Sequence, residues 1–126
     1  MFLRLYQINL NRDEDRVAFE SLENLRRFQG TDQINSGIYD LVFEGELPGP
    51  LDPEDLFVAL NTNSAIHAIV QQSLSVSDIL EYTEEIRVGD QCGRFWFCDS
   101  IGFRPVDFDP SKTQKAAPAA TGTARK

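Results

Sequence analysis

The sequence predicts an α+β domain: a mainly antiparallel sheet of about four or five strands, with two or three helices packed mostly on one face of the sheet. Three observations predict this class. Residues 2–10 alternate between apolar and polar side chains, residues 16–28 carry apolar side chains at helical spacing, and residues 86–108 hold short β-rich runs separated by turns.

A strand and an amphipathic helix come first. Leu3 and Leu5 share one side of the predicted strand, and a polar break follows at residues 11–15. The helix is predicted to begin at Arg16 and to end near Gly30. Its apolar positions are Val17, Phe19, Leu22, Leu25 and Phe28. Acidic residues before this helix and arginines near its end complement the helix macrodipole.

A second strand and a second helix follow. Residues 38–47 are rich in β-formers, and a Pro-Gly-Pro run ends the strand because proline cannot continue a hydrogen-bond ladder. Asp52 is predicted to cap the next helix, with Pro53 at its first position and a stop at residues 61–63. Residues 64–72 fit either a short helix or a packed loop.

The most informative stretch is residues 73–108, which contains the only Trp, both Cys residues and the densest group of aromatic side chains. A third helix is predicted from Ser77 to about Glu84. Ser75 or Ser77 would cap this helix, and Asp78 would lie favourably against its positive end.

An antiparallel meander is predicted after the third helix. Its strands are expected at residues 86–88, 93–99 and 103–108, with turns at Gly89-Asp90 and at Asp99 to Gly102. Phe95 and Phe97 would face one side of the sheet, with Trp96 and Cys98 on the other. Pro105 cannot donate a ladder hydrogen bond, so the last strand is expected at an edge.

Length and composition bound the domain organisation. We predict one domain over residues 1–109, followed by a disordered basic Ala/Pro/Thr tail over residues 110–126, because the tail has no aromatic residue and no Leu, Ile or Val. No run of about 18 apolar residues is present, and the first residues lack a signal-peptide pattern. The protein is therefore expected to be cytoplasmic.

Charge is unevenly distributed along the chain. All 20 acidic residues lie within residues 1–109, which contain only 8 basic residues and so carry a net charge of −12. The other four of the 12 basic residues are Lys112, Lys115, Arg125 and Lys126. Such a body repels nucleic acid and membranes, and could attract a basic groove on a protein. Ordinary solubility of an acidic protein is the alternative interpretation.

Candidate metal ligands are few. His67 is the only histidine, so a zinc ion would lack ligands even beside Cys92 and Cys98. The two cysteines are interpreted as a loop thiol and a buried thiol rather than as a disulfide framework. Asp107 and Asp109 form too weak a carboxylate pair for a metal site. We therefore expect no metal and no cofactor.

Three blocks of sequence occur in this order along the chain. They are Phe2-Leu3-Arg4-Leu5-Tyr6-Gln7 with Asn11-Arg12-Asp13 and Arg16-Val17-Ala18-Phe19; Ser73-Leu74-Ser75-Val76-Ser77-Asp78; and Phe95-Trp96-Phe97-Cys98-Asp99-Ser100-Ile101-Gly102-Phe103 with Val106-Asp107-Phe108-Asp109. Together they resemble the YodL-like domain family over nearly all of residues 1–109. The residues assigned to the family motif are Ser73, Leu74, Ser75, Val76, Ser77, Asp78, Phe97, Cys98, Asp99, Ser100, Gly102 and Phe103.

The resemblance implies a biological setting rather than a reaction. Such domains recur in Firmicutes and in their conjugative elements and phages, alone or beside DNA-modifying modules in multidomain proteins. That setting implies proteins that protect an incoming element or manipulate its host, and it assigns no catalytic residue. Members often carry a His beside the serine motif, where this chain has Gln72.

The leading hypothesis is a non-enzymatic, acidic protein-binding domain of a mobile genetic element that inhibits a host defence nuclease, as anti-CRISPR or anti-restriction proteins do. Its negative charge would compete for the groove that normally holds phosphates. The partner would be a cytosolic host protein, with no direct binding to nucleic acid or membranes. The predicted partner contacts are Glu44, Glu46, Asp52, Glu54, Asp55, Trp96, Asp99, Asp107 and Asp109.

Two alternatives belong to other functional classes. A regulatory or scaffold module would bind a cytosolic protein through hydrophobic contacts, using an exposed Trp96 or an open edge strand, and its affinity would hardly depend on salt. An enzyme would use Ser77, Asp78 or His67, although helix capping already accounts for the serine and the aspartate.

Overall fold

A six-stranded, mostly antiparallel sheet forms the centre of the structure, a computed structural model that describes residues 1–116. The elements in chain order are β1 Phe2–Ile8, α1 Leu22–Gln29, β2 Tyr39–Glu46, α2 Pro53–Leu60, α3 Ala65–Val70, β3 Ile79–Val88, β4 Gln91–Cys98, β5 Phe103–Pro105 and β6 Gln114–Lys115, with 3₁₀ turns at Ser36–Ile38 and Pro110–Lys112. The predicted α+β class is confirmed, and the sheet has more strands than the four or five expected.

The strands lie in the order β5-β4-β3-β1-β2-β6, so β1 and β3 are central. All neighbouring pairs are antiparallel except β2 and β6, which are parallel. On β1, Leu5 lies opposite Phe43 of β2 and Leu80 of β3. The prediction that Pro105 lies on an edge strand is confirmed, because β5 is the last strand on its side.

Both faces of the sheet are covered by helices. Helices α2 and α3 bring Leu56, Leu60 and Val70 to the face that carries Trp96 and Cys98, whereas α1 brings Leu22 and Leu25 to the face that carries Phe97. Two of the three helices therefore share one face. The predicted alternation along β4 is confirmed, with the indole and the Phe97 ring in separate hydrophobic clusters.

The helix predicted from Ser77 to about Glu84 is wrong, because this segment enters β3 at Ile79. Ile79 and Leu80 are both fully buried, but in clusters on opposite faces of the sheet. Only the two-residue period of a strand can bury adjacent side chains in this way. Strand β3 also hydrogen-bonds to β1 and β4 on its two sides, which makes it a central strand.

The first helix begins later than predicted, at Leu22 rather than Arg16. Arg16 and Phe19 have φ values of 54° and 69°, which end any right-handed helix through them. Ser21 then caps α1 by accepting a hydrogen bond from the Asn24 backbone N–H at 3.2 Å. The predicted stop is confirmed: Gly30 adopts φ 76°, the left-handed conformation that favours glycine at a helix end.

The predictions for the middle of the chain are confirmed. Strand β2 and helix α2 lie where they were expected, and Asp52 and Asp55 form a capping box at the start of α2. Residues 64–72, for which two interpretations were open, contain the short helix α3. Tight connections join β3 to β4 at residues 89–90 and β4 to β5 at residues 99–102.

The folded region extends beyond the predicted end of the domain at Asp109. Residues 110–112 form a 3₁₀ turn, and residues 114–115 form β6 against β2. The first part of the expected disordered tail therefore belongs to the sheet. The rest of the predicted tail, residues 117–126, lies outside the described residues.

A buried carboxylate crosslinks three strands on the face that α1 partly covers. Glu81, 4% exposed, accepts hydrogen bonds from the Tyr6 hydroxyl at 2.6 Å, from Arg94 at 2.8 Å and from Arg4 at 3.4 Å. Burial, followed by the hydrogen bond to Glu81, raises the pKa of Tyr6 above its ordinary value. The tyrosine is therefore a neutral donor over the whole physiological range.

We expect Tyr6→Phe to lower the free energy of unfolding by about 1–3 kcal/mol, because a buried charged acceptor loses a donor that water cannot replace. Urea denaturation measures the change. Tyr82→Phe is the matched control, since the Tyr82 hydroxyl donates to the neutral backbone carbonyl of Leu51 at 3.0 Å and its loss should be cheaper. Equal changes in the two variants would contradict the prediction.

Candidate functional site

The three motif blocks meet where the loop before β3 packs against the loop between β1 and α1. The Ser77 hydroxyl accepts a hydrogen bond from the Phe19 backbone N–H at 3.0 Å, joining the second block to the first. Ser77 N–H donates to Cys98 O at 2.8 Å, and Cys98 N–H donates to Asp78 O at 2.8 Å, joining it to the third. The prediction that Ser75 or Ser77 caps a helix is wrong: Ser77 joins two loops, whereas the Ser75 backbone bonds to Asp78 within its own loop.

The backbone at this junction is held in an unusual conformation. Ser77 has φ 84° and Phe19 has φ 69°, both in the left-handed region that non-glycine residues rarely adopt. Each such residue costs about 1–3 kcal/mol and persists only where the surroundings impose it. Here the buried hydroxyl of Tyr39 donates to Ser77 O at 2.7 Å and fixes the strained residue.

Asp78 is the buried acid of the junction, with 3% of its surface exposed. Its Oδ2 atom accepts hydrogen bonds from the Ser75 backbone N–H at 2.8 Å and from Gln7 Nε2 at 3.1 Å. Burial raises the pKa of Asp78 to about 7, against the opposing effects of these two donors. The carboxyl group therefore changes its charge close to neutral pH.

A cavity of about 280 Å³ opens beside this acid; we call it the Asp78 cavity. It is lined by Gln7, Ile8, Leu10, Ala18, Phe19, Ser75, Ser77 and Asp78. Leu10 and Phe19 are each 64% exposed although they are large and apolar. The cavity thus combines a buried carboxyl group with exposed hydrophobic side chains, a combination typical of binding sites.

Most of the acidic residues predicted to contact a partner have local structural partners. Glu44 accepts a hydrogen bond from Arg4 Nε at 2.9 Å, and Glu46 lies 3.1 Å from the Met1 amino group. Asp99 accepts from the Leu22 backbone N–H at 3.1 Å, and Asp109 caps the 3₁₀ turn at residues 110–112. These contacts position loops and helix ends, so the side chains contribute charge as well as structure.

The predicted partner contacts do not form one surface. Glu46 ends β2 beside the Met1 amino group, Asp52 and Asp55 form the cap of α2, and Glu54 lies in the first turn of α2, near Gly102 of the β4–β5 connection. The segment with Asp107 and Asp109 crosses the opposite face of the sheet, where Phe108 packs on Tyr6, Tyr39 and Phe95. Trp96 is fully buried, so the hypothesis of an exposed Trp96 is wrong.

A second concave region lies near the turn at residues 48–50 and is here called the acidic groove. Its volume is about 320 Å³, and its lining includes Met1, Leu51, Tyr82 and Ile86 as apolar surface, with Asp52, Glu84 and Arg87 as charged residues. Burial, followed by the negative charges of Asp52 and Asp55, raises the pKa of Tyr82 above its ordinary value. The groove therefore combines an apolar surface with more acidic than basic side chains around it.

A third depression, about 820 Å³, lies between α1 and the β4–β5 connection and mixes the two signs of charge. Arg26, Arg27 and Arg104 line it together with Glu23, Asp32 and Asp99. Equal numbers of the two signs leave no net charge to select a ligand, so we do not treat it as a functional site.

The residues proposed for an enzyme do not form a catalytic pair. His67 Nδ1 lies 2.7 Å from Leu60 O within the α2–α3 unit, whereas the Ser77 hydroxyl is bonded to the β1–α1 loop. Cys98 is buried, and burial raises the pKa of its thiol to about 12, which disfavours the reactive thiolate. Cys92, predicted in a loop, is exposed on β4.

Residues 1–116 contain no group of three or more His, Cys, Asp or Glu side chains placed to hold a metal ion.

Five of the eight residues that line the Asp78 cavity are not among the predicted site residues: Gln7, Ile8, Leu10, Ala18 and Phe19. The sequence predicts Phe19 on the apolar face of a helix and Gln7 in the first strand, and it assigns both to the first family block without a role in a site. A usable signal was the polar break at residues 11–15, where Asp13 accepts hydrogen bonds from the backbone N–H groups of Val17 and Ala18 at 2.9 Å each. Such a local carboxylate bond favours a loop over a helix.

Comparison with protein families identifies the chain. A family model described as YodL-like domain matches residues 2–108 of the 126 residues. The chain belongs to this family, and the resemblance stated from the three blocks is confirmed. Comparison with curated proteins gave no match, and neither did comparison with solved structures. Among residues 1–116, no helix has the length and apolar character needed to cross a membrane.

Proposed function

We propose that this member of the YodL-like domain family is a non-enzymatic protein-binding domain whose partner is a basic, nucleic-acid-binding protein of the cytoplasm. In the setting of a mobile genetic element, the partner would be a host defence nuclease, such as a CRISPR effector or a restriction enzyme, and binding would inhibit it. The observation that carries the proposal is the uncompensated negative charge of residues 1–109, which amounts to −12.

The arrangement of the arginines supports the proposal. Five of the eight arginines in residues 1–109 form ion pairs with acidic side chains of the same chain: Arg4, Arg12, Arg27, Arg94 and Arg104. Most of the arginines are therefore paired with acids of the same chain, and the acidic residues in excess give the domain its net negative field. Such a field repels phosphates and steers the domain toward a positively charged groove.

The acidic groove gives this attraction a place to act. Asp52 and Glu84 line it against a single arginine, Arg87, Glu46 lies against the Met1 amino group that borders it, and Leu51 and Ile86 supply apolar contacts. Charge complementarity favours one occupant, a basic segment of the partner that also carries an apolar side chain. The hydrophobic regulator is a weaker candidate because Trp96, one of its two proposed contacts, is buried, and because the edge strands β5 and β6, the other proposed contact, have only three and two residues.

Charge reversal at the groove tests the proposal. We expect the double variant Glu46→Lys and Glu84→Lys to weaken binding to a purified Cas9-type effector or restriction enzyme by about tenfold or more, because attraction becomes repulsion. Both side chains are exposed and lie outside the Asp52–Asp55 capping box, so the fold should persist. Binding is measured by biolayer interferometry at low and high salt, and inhibition by nuclease assay.

The matched control is Glu14→Lys with Asp15→Lys, which changes the net charge equally on the exposed β1–α1 loop. The control should retain most of the affinity and the same steep loss at high salt. Equal losses of affinity in the two variants would show a general effect of net charge and would contradict the acidic groove as the binding site. An affinity that is the same at low and high salt would favour the hydrophobic regulator. Absence of binding to every nuclease tested would overturn the proposed function.

A further inference from the structure

We propose that the Asp78 cavity binds a primary ammonium group carried on a short alkyl chain, with the Asp78 carboxylate as its counter-ion. This site is separate from the acidic groove. Strand β1 runs between them: Phe2 lines the groove at one end of the strand, and Gln7 and Ile8 line the cavity at the other. The inference therefore does not depend on the proposed function.

Among residues 1–116, the buried carboxyl group of Asp78 has no cationic partner. Only 3% of the Asp78 surface is exposed, and no Lys, Arg or His among residues 1–116 forms an ion pair with it. Its Oδ2 atom takes both hydrogen bonds, from Ser75 and Gln7, while Oδ1 accepts none from this part of the chain. A buried carboxylate is rarely left without a positive partner.

The hydrogen bonds already made by Asp78 favour one type of cation, an ammonium group. One free carboxylate oxygen suits the single N–H contact of an ammonium group, whereas a guanidinium group binds best through two parallel hydrogen bonds to both oxygens. A divalent metal ion would need several further oxygen ligands, and residues 1–116 hold no such cluster. An anion would meet the carboxylate and the negative body of the protein, and would be repelled.

The apolar part of the cavity lining favours a ligand with an alkyl chain. Ile8, Leu10, Ala18 and Phe19 supply apolar surface to the cavity, and two of these side chains, Leu10 and Phe19, are 64% exposed where a ligand would enter. Burial of hydrocarbon against these residues would add hydrophobic stabilisation to the ion pair. The Phe19 backbone has a left-handed conformation, and its N–H donates a hydrogen bond to Ser77 Oγ. This conformation holds the Phe19 ring at the cavity before a ligand binds.

The ligand chemistry has two sources, a free alkylamine and the lysine side chain of another protein. Titration with n-butylamine tests the first, and titration with N-acetyl-lysine methylamide tests the second. Both are followed by ¹H–¹⁵N NMR of the full chain at pH 8, with n-butanol and n-butylguanidine as comparison ligands. We expect both ammonium compounds to bind with a Kd on the order of 1 mM, and to shift the Gln7, Phe19 and Ser75 signals.

Asp78→Asn separates charge from structure, because the Asn side chain oxygen can still accept from Ser75. We expect this variant to lose at least about tenfold in affinity for n-butylamine, while Asp15→Asn on the neighbouring loop retains it. Tighter binding of n-butylamine than of the lysine compound would identify free amines as the source, and tighter binding of the lysine compound would identify a protein lysine. Unchanged affinity in Asp78→Asn, equal binding of n-butanol, or no shift at these residues would overturn the proposal.

Discussion

Replacing Trp96 with Ala is expected to lower the free energy of unfolding by about 3–5 kcal/mol, the usual effect of removing a large buried aromatic side chain. The indole is fully buried between β4 and helices α2 and α3, among Leu5, Leu56 and Leu80. Its Nε1–H donates to Gly93 O at 2.9 Å, so no polar group is left unsatisfied by burial. The measurement is urea denaturation followed by circular dichroism.

Two controls frame this prediction. Ile101→Ala removes an apolar side chain that is 90% exposed in the β4–β5 connection, and should change stability by less than about 0.5 kcal/mol. Trp96→Phe keeps much of the buried volume and should cost less than Trp96→Ala. If Trp96→Ala left stability unchanged but abolished partner binding, the ring would be an interface residue and the hydrophobic regulator would become the leading hypothesis.

Local signals predicted the elements whose determinants are neighbours in the chain. Asp52, Pro53 and the proline-rich turn before them specify the end of β2 and the start of α2, and the capping box joins two residues, Asp52 and Asp55, that are only three positions apart. Gly30 ends α1 for an equally local reason, its left-handed conformation. In each case the atoms that satisfy the backbone belong to the same segment.

The error at Ser77–Glu84 has the opposite origin. A serine and an aspartate before an apolar run are a helix-start signature, and the sequence contains nothing local that contradicts it. In the structure the Ser77 hydroxyl bonds to Phe19, 58 residues away, and the Asp78 side chain bonds to Gln7, 71 residues away. Such distant partners override local propensity and cannot be read from the segment alone.

The candidate site was only partly predictable for the same reason. The motif blocks could be recognised one by one, yet their contact with each other is a property of the fold, created by β1 and β3 pairing in the centre of the sheet. Alternation along β4 placed Trp96 on a defined face, but it did not show that helices cover both faces. Burial of the indole therefore had to come from the structure.

Replacing Asp78 with Asn is expected to stabilise the protein at pH 8 by up to about 4 kcal/mol, because each pKa unit corresponds to about 1.4 kcal/mol. Burial raises the pKa of this carboxyl group from 3.8 to about 7 in the folded protein. Below the unfolded value both states are protonated and no penalty arises. As pH rises toward 7 the unfolded state ionises more readily, so wild-type stability is lost through this window and stays low above it.

The difference between the variant and the wild type should therefore be small at pH 4 and largest at pH 8, measured by urea denaturation across this range. The groups near the Asp78 carboxyl do not offset this loss of stability with rising pH. Gln7 and the Ser75 N–H are neutral donors. The Tyr39 hydroxyl and the Cys98 thiol remain protonated because burial raises their pKa values. Asp15→Asn should leave the pH dependence unchanged, since that side chain is exposed. A constant difference from pH 4 to pH 8 would mean that water solvates Asp78 in the folded state. A rising difference would instead mean that the protein retains a destabilising charge beside its cavity, as residues that bind a ligand commonly do.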